Sequence, residues 1–187
     1  MRATLFILSL SVFLIVLVFL LVHSYLKRIR AKRSPYGDWR DLLGRLSTVN
    51  RENIAAIALS LADEFGNRRE GENSATFDET EKWSMIGGLK GLETLERNCE
   101  VLVDLVFYVQ QWYPEALAIT EQLRLNAREI EWHIGRLKSA AKVGKIETAF
   151  PEHAERVVEI YYAMTRCVLT LYDEWDIPGS TELRGVL

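Results

Sequence analysis

Three stretches of the chain place apolar residues in alternating steps of three and four, the period of helices that pack along a common seam. Because residues repeated at this period stay on one side of a helix, each stretch has one apolar face to bury. The pattern predicts an all-α fold, an antiparallel, four-helix-like bundle with heptad seams. The first seam is Leu92, Leu95, Cys99, Leu102, Val106, Val109 and Tyr113; the second is Ala116, Ile119, Leu123, Ala127, Ile130, Ile134, Leu137 and Ala141; the third is Ala154, Val157, Tyr161, Met164, Val168, Leu171 and Trp175.

Prolines, glycines and capping residues set the predicted ends of these helices. Asp78 and Glu81 resemble a capping pair, from which a helix is expected to run from 79 to 111. The second helix is expected to begin at Pro114 and to end at Gly144, and the third to begin at Pro151 and to end at 178–179. Two shorter helices, 39–46 and 51–65, would supply the fourth element of the bundle.

Pro114 leaves a second topology open. If this proline only kinks the chain instead of reversing it, the first two seams would form one extended coiled-coil rod that dimerises. The tightness of the connection at Pro114 keeps this alternative open, while three helices of the same period joined by short connections are expected to lie antiparallel.

The segment 1–33 is predicted to be a membrane anchor. Residues 5–22 consist almost entirely of Leu, Ile, Val and Phe, which is long enough for a helix to cross the hydrocarbon layer. A cleaved signal peptide is the alternative, but the apolar run is long and only Arg2 precedes it. More cations follow the run than precede it, which predicts a single-pass protein with the N-terminus outside and the C-terminal domain cytoplasmic. The cations predicted to stop transfer and contact lipid headgroups are Lys27, Arg28, Arg30, Lys32 and Arg33.

The rest of the chain is predicted to be one acidic domain. We expect a linker at 34–37, a bundle at 38–177 with a mobile loop at about 66–77, and a C-terminal tail at 178–187. All acidic residues of the chain lie after residue 33, where 17 basic and 26 acidic residues give a net charge of −9. This excess disfavours nucleic acid as a partner. Cys99 and Cys167 are expected to stay reduced.

Few side chains are spaced for catalysis or metal binding. Glu129 and His133 are four residues apart and are the candidates for sharing a metal ion. A bundle metal site usually needs Glu-x-x-His pairs, which this sequence lacks, so we expect neither a metal site nor a cofactor. Cys99 and His133 are the candidates for a catalytic dyad, but a thiol on an apolar seam behaves as a small hydrophobic group. We expect no enzymatic activity.

Two other features invite a structural interpretation. The glycines Gly87, Gly88 and Gly91 weaken the first long helix, and they predict either a hinge or a close approach of another helix. Asp104 lies opposite its seam, where it is expected to face solvent or to pair with Arg124 or Arg128.

Abundant apolar faces predict an interaction or scaffolding module, with a protein partner or self-association through the helical faces and with the lipid bilayer as a further partner. The alternative is a sensor that binds a small ligand or metal. It would use the neighbourhood of Glu129 and His133, or an aromatic set at one end of the bundle, for which core packing is the simpler explanation. The aromatic set is Trp112, Tyr113, Tyr161, Tyr162 and Trp175.

Overall fold

The structure is a computed structural model that describes residues 16–18, 39–66, 77–177 and 179–187. The chain divides into two compact units, Met1–Asp38 and Trp39–Leu187. In the first unit, residues 16–18 are helical. The regular elements described in the second unit are all helices, so the all-α prediction is confirmed. They are α1 (Trp39–Arg45), α2 (Arg51–Gly66), α3 (Glu79–Ile86), α4 (Gly88–Gln110), α5 (Ala116–Lys142), α6 (Ile146–Glu174) and α7 (Ser180–Val186).

The three long helices α4, α5 and α6 pack against one another. Lys138, near the end of α5, lies 3.3 Å from Glu96 near the start of α4, so these two helices run antiparallel. Arg156 on α6 lies 2.8 Å from Glu129 on α5, in keeping with antiparallel packing there too. The chain therefore reverses after α4, and the extended rod is excluded.

The seams provide the core of this bundle. Leu102, Ile134 and Val168, one from each seam, are completely buried. The shorter helices extend the core, because α1 packs on α4 and α2 packs on α6. The predicted helical bundle is thus confirmed.

The helix predicted to run from 79 to 111 is broken at Gly87 and Gly88. Both glycines have positive φ angles, 82° and 64°, which end α3 and start α4 in a new direction. Glycine adopts this left-handed conformation without the steric cost that a side chain would bring. Asp78 precedes α3 in an extended conformation, but its side chain makes no capping hydrogen bond, contrary to the predicted capping pair.

Gly91 follows this break and allows α4 to pass close to the end of α3. A Cβ atom at Gly91 would lie 1.8 Å from the carbonyl oxygen of Ile86. The glycine cluster therefore serves both predicted purposes, since it bends the chain and permits close approach, but the approaching backbone is that of the preceding helix.

Three other sequence predictions differ from the structure. Pro151 lies inside α6, which begins at Ile146, so the third long helix starts earlier than predicted. Asp104 pairs with Arg45 of α1 at 2.9 Å, and neither Arg124 nor Arg128 is its partner in that bond. The segment 178–187, predicted only as a tail, contains α7, whose Leu183 is buried.

No helix among the described residues combines the length and the apolar character needed to cross a membrane. This finding contradicts the predicted single-pass localisation with the N-terminus outside and the C-terminal domain cytoplasmic. A spanning helix needs about 20 mostly apolar residues, whereas the long described helices carry charged side chains along their lengths. The predicted span 5–22, except for 16–18, and the predicted headgroup cations lie outside the described residues, as do the linker 34–37 and the loop residues 67–76.

Replacing Gly91 by alanine is expected to destabilise the domain. The new methyl group would collide with the carbonyl oxygen of Ile86, and relief requires backbone movement, so we expect a loss of about 3 kcal/mol in the free energy of unfolding. Gly44→Ala is the matched control, because a Cβ at Gly44 meets no atom within 4 Å. It should gain about 0.5–1 kcal/mol. Chemical denaturation of both variants measures the difference; equal stabilities would contradict the close approach.

Candidate functional site

Helix α5 carries apolar side chains on two opposite faces. One face is the seam, where Ile130, Ile134 and Leu137 are completely buried against α4 and α6. The other face is exposed to solvent, and its large apolar residues lie within an arc of about 80° on a helical wheel. We call this set the outer row; it consists of Leu117, Leu125, Trp132 and, directly after the helix, Val143, whose exposed fractions are 51%, 58%, 53% and 67%.

Trp132 is the largest side chain of the outer row, and its ring is in contact with three neighbours. His133 and His153 meet the indole edge to face, with ring centroids 4.8 Å and 5.6 Å away. The guanidinium carbon of Arg136 lies 5.2 Å from the ring centroid, within the range of a cation–π interaction. Trp132 therefore combines an exposed apolar surface with a ring braced from several directions.

Two shallow cavities flank Trp132. The first, of about 430 Å³, lies along α5 between Arg128 and Ser139 and passes Gly135, where a Cβ atom would meet open space. The second, of about 500 Å³, reaches across to α6 at Ala149 and His153. The indole thus stands between two depressions that a partner's side chains can enter.

The two histidines behind Trp132 form a hydrogen-bonded pair. The Nδ1 atoms of His133 and His153 are 3.0 Å apart, so one ring donates and the other accepts. Burial lowers the pKa of His133 below its usual value of 6.5, and the neighbouring His153 and Arg156 add to the effect. Glu129 and Glu152 act in the opposite direction and do not outweigh it. The pair accordingly favours a neutral His133 near pH 7.

The predicted metal candidates, Glu129 and His133, lie close together, and their contact is an ion pair only when His133 is protonated. Glu129 Oε1 lies 3.9 Å from His133 Nε2, on the ring edge that faces away from His153, and accepts hydrogen bonds from Arg156 at 2.8 Å. Its carboxylate is thereby engaged by a guanidinium. Within the described ranges, no group of three or more His, Cys, Asp or Glu side chains is arranged to hold a metal ion.

A separate cavity of about 470 Å³ lies between the start of α2, the second half of α6 and α7. Three arginines line it, Arg51, Arg166 and Arg184, together with a single acidic side chain, Asp173. Arg184 binds Asp173, and Arg51 donates to the backbone carbonyl of residue 184, so two of the arginines are held in place. The apolar part of the lining comes from Val49, Ile54, Ala55, Leu169 and Leu187.

The five residues of the predicted aromatic set do not form one cluster. Tyr113 and Trp175 do meet, with centroids 5.0 Å apart, while Trp112 packs on Tyr108. Tyr161 and Tyr162 instead line the arginine cavity.

The two cysteines are free thiols. Burial raises the pKa of both, and Glu96 and Glu100 raise that of Cys99 further, which disfavours the thiolate that a Cys99–His133 dyad would need.

Acidification is expected to destabilise the domain through the histidine pair. Because the pKa of His133 is lower folded than unfolded, the unfolded chain binds more protons below pH 6.5, and stability falls as the pH drops through that window. In thermal melts at pH 7.5 and 5.5, the drop in Tm between the two pH values should be largest for the wild type. The drop should be smaller in His153→Gln, which removes one like charge, and smallest in His133→Gln. Equal losses in all three would contradict this coupling.

Comparison with known proteins gives no relative from which a function can be transferred. No protein-family model, no curated protein and no solved structure matches the chain. The outer row, the histidine pair and the arginine cavity are therefore the features of the described residues that bear on function.

Proposed function

We propose that the chain is a non-catalytic interaction module that binds a protein partner through the outer row of α5. Trp132 carries the proposal: half of its surface is exposed, yet three neighbours contact its ring. A braced aromatic side chain loses little conformational freedom on binding, and tryptophan is enriched among the residues that dominate interface energies.

The surroundings of Trp132 support the same role. Leu125, two turns away on the same face, adds a second exposed apolar side chain. Glu121, Arg128 and Arg136 are exposed around these two residues. An apolar centre with a charged and polar rim is the usual anatomy of a protein interface.

The proposal is tested by crosslinking in cell extract, with a photoreactive amino acid at position 128 and the captured partners read by mass spectrometry. Leu125→Ser and Trp132→Ala should each reduce capture about tenfold or more, because central apolar anchors typically contribute 2 kcal/mol or more to binding. Leu59→Ser is the matched control, since Leu59 is 54% exposed but lies on α2. Partners captured equally by all variants would overturn the proposal.

A second candidate function is the binding of a small amphiphilic anion in the arginine cavity. The observation that favours it is three arginines around an apolar lining, because guanidinium groups bind carboxylates and phosphates while the lining accepts a short hydrocarbon chain. The cavity volume of about 470 Å³ is within the range of known small-molecule sites.

Calorimetry with decanoate, decyl phosphate and decanol tests this second function. The two anions should bind while decanol does not, and Arg166→Gln should weaken the anions by about tenfold through loss of a charged hydrogen bond. Arg128→Gln, on the far helix α5, is the control for a change of net charge. Equal binding of decanol and the anions, or no binding at all, would rule out the anion site.

A further inference from the structure

We infer that the partner of the outer row is a second copy of this chain, packed antiparallel through α5 about a two-fold axis beside Arg128 and Glu129. The inference rests on the proposed function and deepens it by naming the partner. It follows from the order of residues on the exposed face, where Leu125 and Trp132, and Glu121 and Arg136, exchange places when the helix is reversed, whereas Arg128 beside the axis meets its own copy.

The apolar anchors show this self-complementarity first. Leu125 and Trp132 lie at equal distances on either side of the midpoint between residues 128 and 129. A two-fold axis at that midpoint, perpendicular to the helix, therefore places each Leu125 opposite Trp132 of the second copy, and the two contacts are equivalent by symmetry. Both residues are more than half exposed in the single chain, so neither must leave a core to make this contact.

The charges follow the same symmetry. Glu121 and Arg136 have the same midpoint as the apolar pair, so the axis sets each glutamate against an arginine of the second copy. Arg124 and Glu131 are centred within one residue of that point and give a second pair of opposite charges, and within one chain Arg124 also binds Glu121 at 3.1 Å. In a parallel dimer every one of these charges would instead meet its own kind, at an energetic cost.

The surface relief also fits a second α5. The cavity beside Trp132 is lined by Arg128, Glu131, Gly135, Arg136 and Ser139, and it lies where Leu125 of the second copy would insert. Gly135 contributes no side chain and leaves room for that leucine. A knob from one helix entering a hole between four residues of another is the packing mode of antiparallel helix pairs.

The expected dimer is weak and reversible. Two helices in contact over about five turns bury on the order of 1,000 Å² in total, the low end of specific interfaces. We therefore expect a Kd on the order of 10 µM, with weaker association at high salt, which screens the four charge pairs.

A charge swap tests the inference in the full chain. Sedimentation equilibrium is measured for the wild type, Glu121→Arg, Arg136→Glu and the double variant, over about 1–200 µM to bracket the expected Kd. Each single reversal sets like charges together at two symmetric places and should weaken the dimer about tenfold, whereas the double variant restores opposite charges and should recover most of the affinity. Lys90→Glu, an exposed charge reversal on α4, is the control and should not change the Kd.

The outcomes separate this inference from the proposed function. A double variant as weak as the single ones overturns the antiparallel pairing. A wild type that stays monomeric at the highest concentration, but whose crosslinked partner is still lost in Leu125→Ser, overturns the second copy and leaves the interaction module standing. A monomeric wild type whose crosslinked partners do not depend on the outer row overturns both.

Discussion

The burial of a wide apolar arc on α6 is the constraint around which the bundle is arranged. This helix packs against α2, α4, α5 and α7, and its core residues include Tyr161 and Tyr172, the largest side chains that are almost fully enclosed. Each tyrosine hydroxyl needs a polar contact inside the core. Asn98 of α4 donates to the Tyr161 hydroxyl, and the Tyr172 hydroxyl donates to the carbonyl oxygen of Leu105, so both hydroxyls fix the register of α4 against α6. Burial correspondingly raises the pKa of Tyr161 to about 12.

The three long helices can be predicted from the sequence, because the apolar period of a seam is visible along each helix by itself. Tertiary packing then buries that face. The ends of the helices are harder to predict. The glycines Gly87, Gly88 and Gly91 indicate a weak point in the helix, but the left-handed turn at Gly87 and Gly88 depends on how α3 and α4 pack. A proline typically marks a helix start, but at Pro151 the lost backbone hydrogen bond and the clash of its ring are outweighed by the packing of α6. The sequence predicts partners for Asp104 on α5, because nothing in the local sequence places Arg45 beside it.

Some residues of the candidate site can likewise be predicted from the sequence, and others cannot. Glu129 and His133 were found from their spacing along one helix, and the structure does bring them together. His153 completes the histidine pair from another helix, and no local pattern joins residues 133 and 153. The outer row has a usable sequence signal, since Leu125 and Trp132 lie one heptad apart on the face opposite the seam, but two residues are a weaker pattern than the eight of the seam. The arginine cavity draws on α2, α6 and α7, so it had no sequence signature at all.

The short connections between the long helices bear on how this chain reaches its fold. The chain from α4 to α6 is continuous, and residues 111–115 and 143–145 are the only links between its three helices. Closing such small loops costs little entropy, so this part of the bundle can collect its core contacts from sequence neighbours alone. By contrast, α2 reaches α6 across the whole of α3, α4 and α5. We therefore expect the contacts of the α4–α6 unit to form before those of α2, and the arginine cavity to be complete only once α2 has docked on α6.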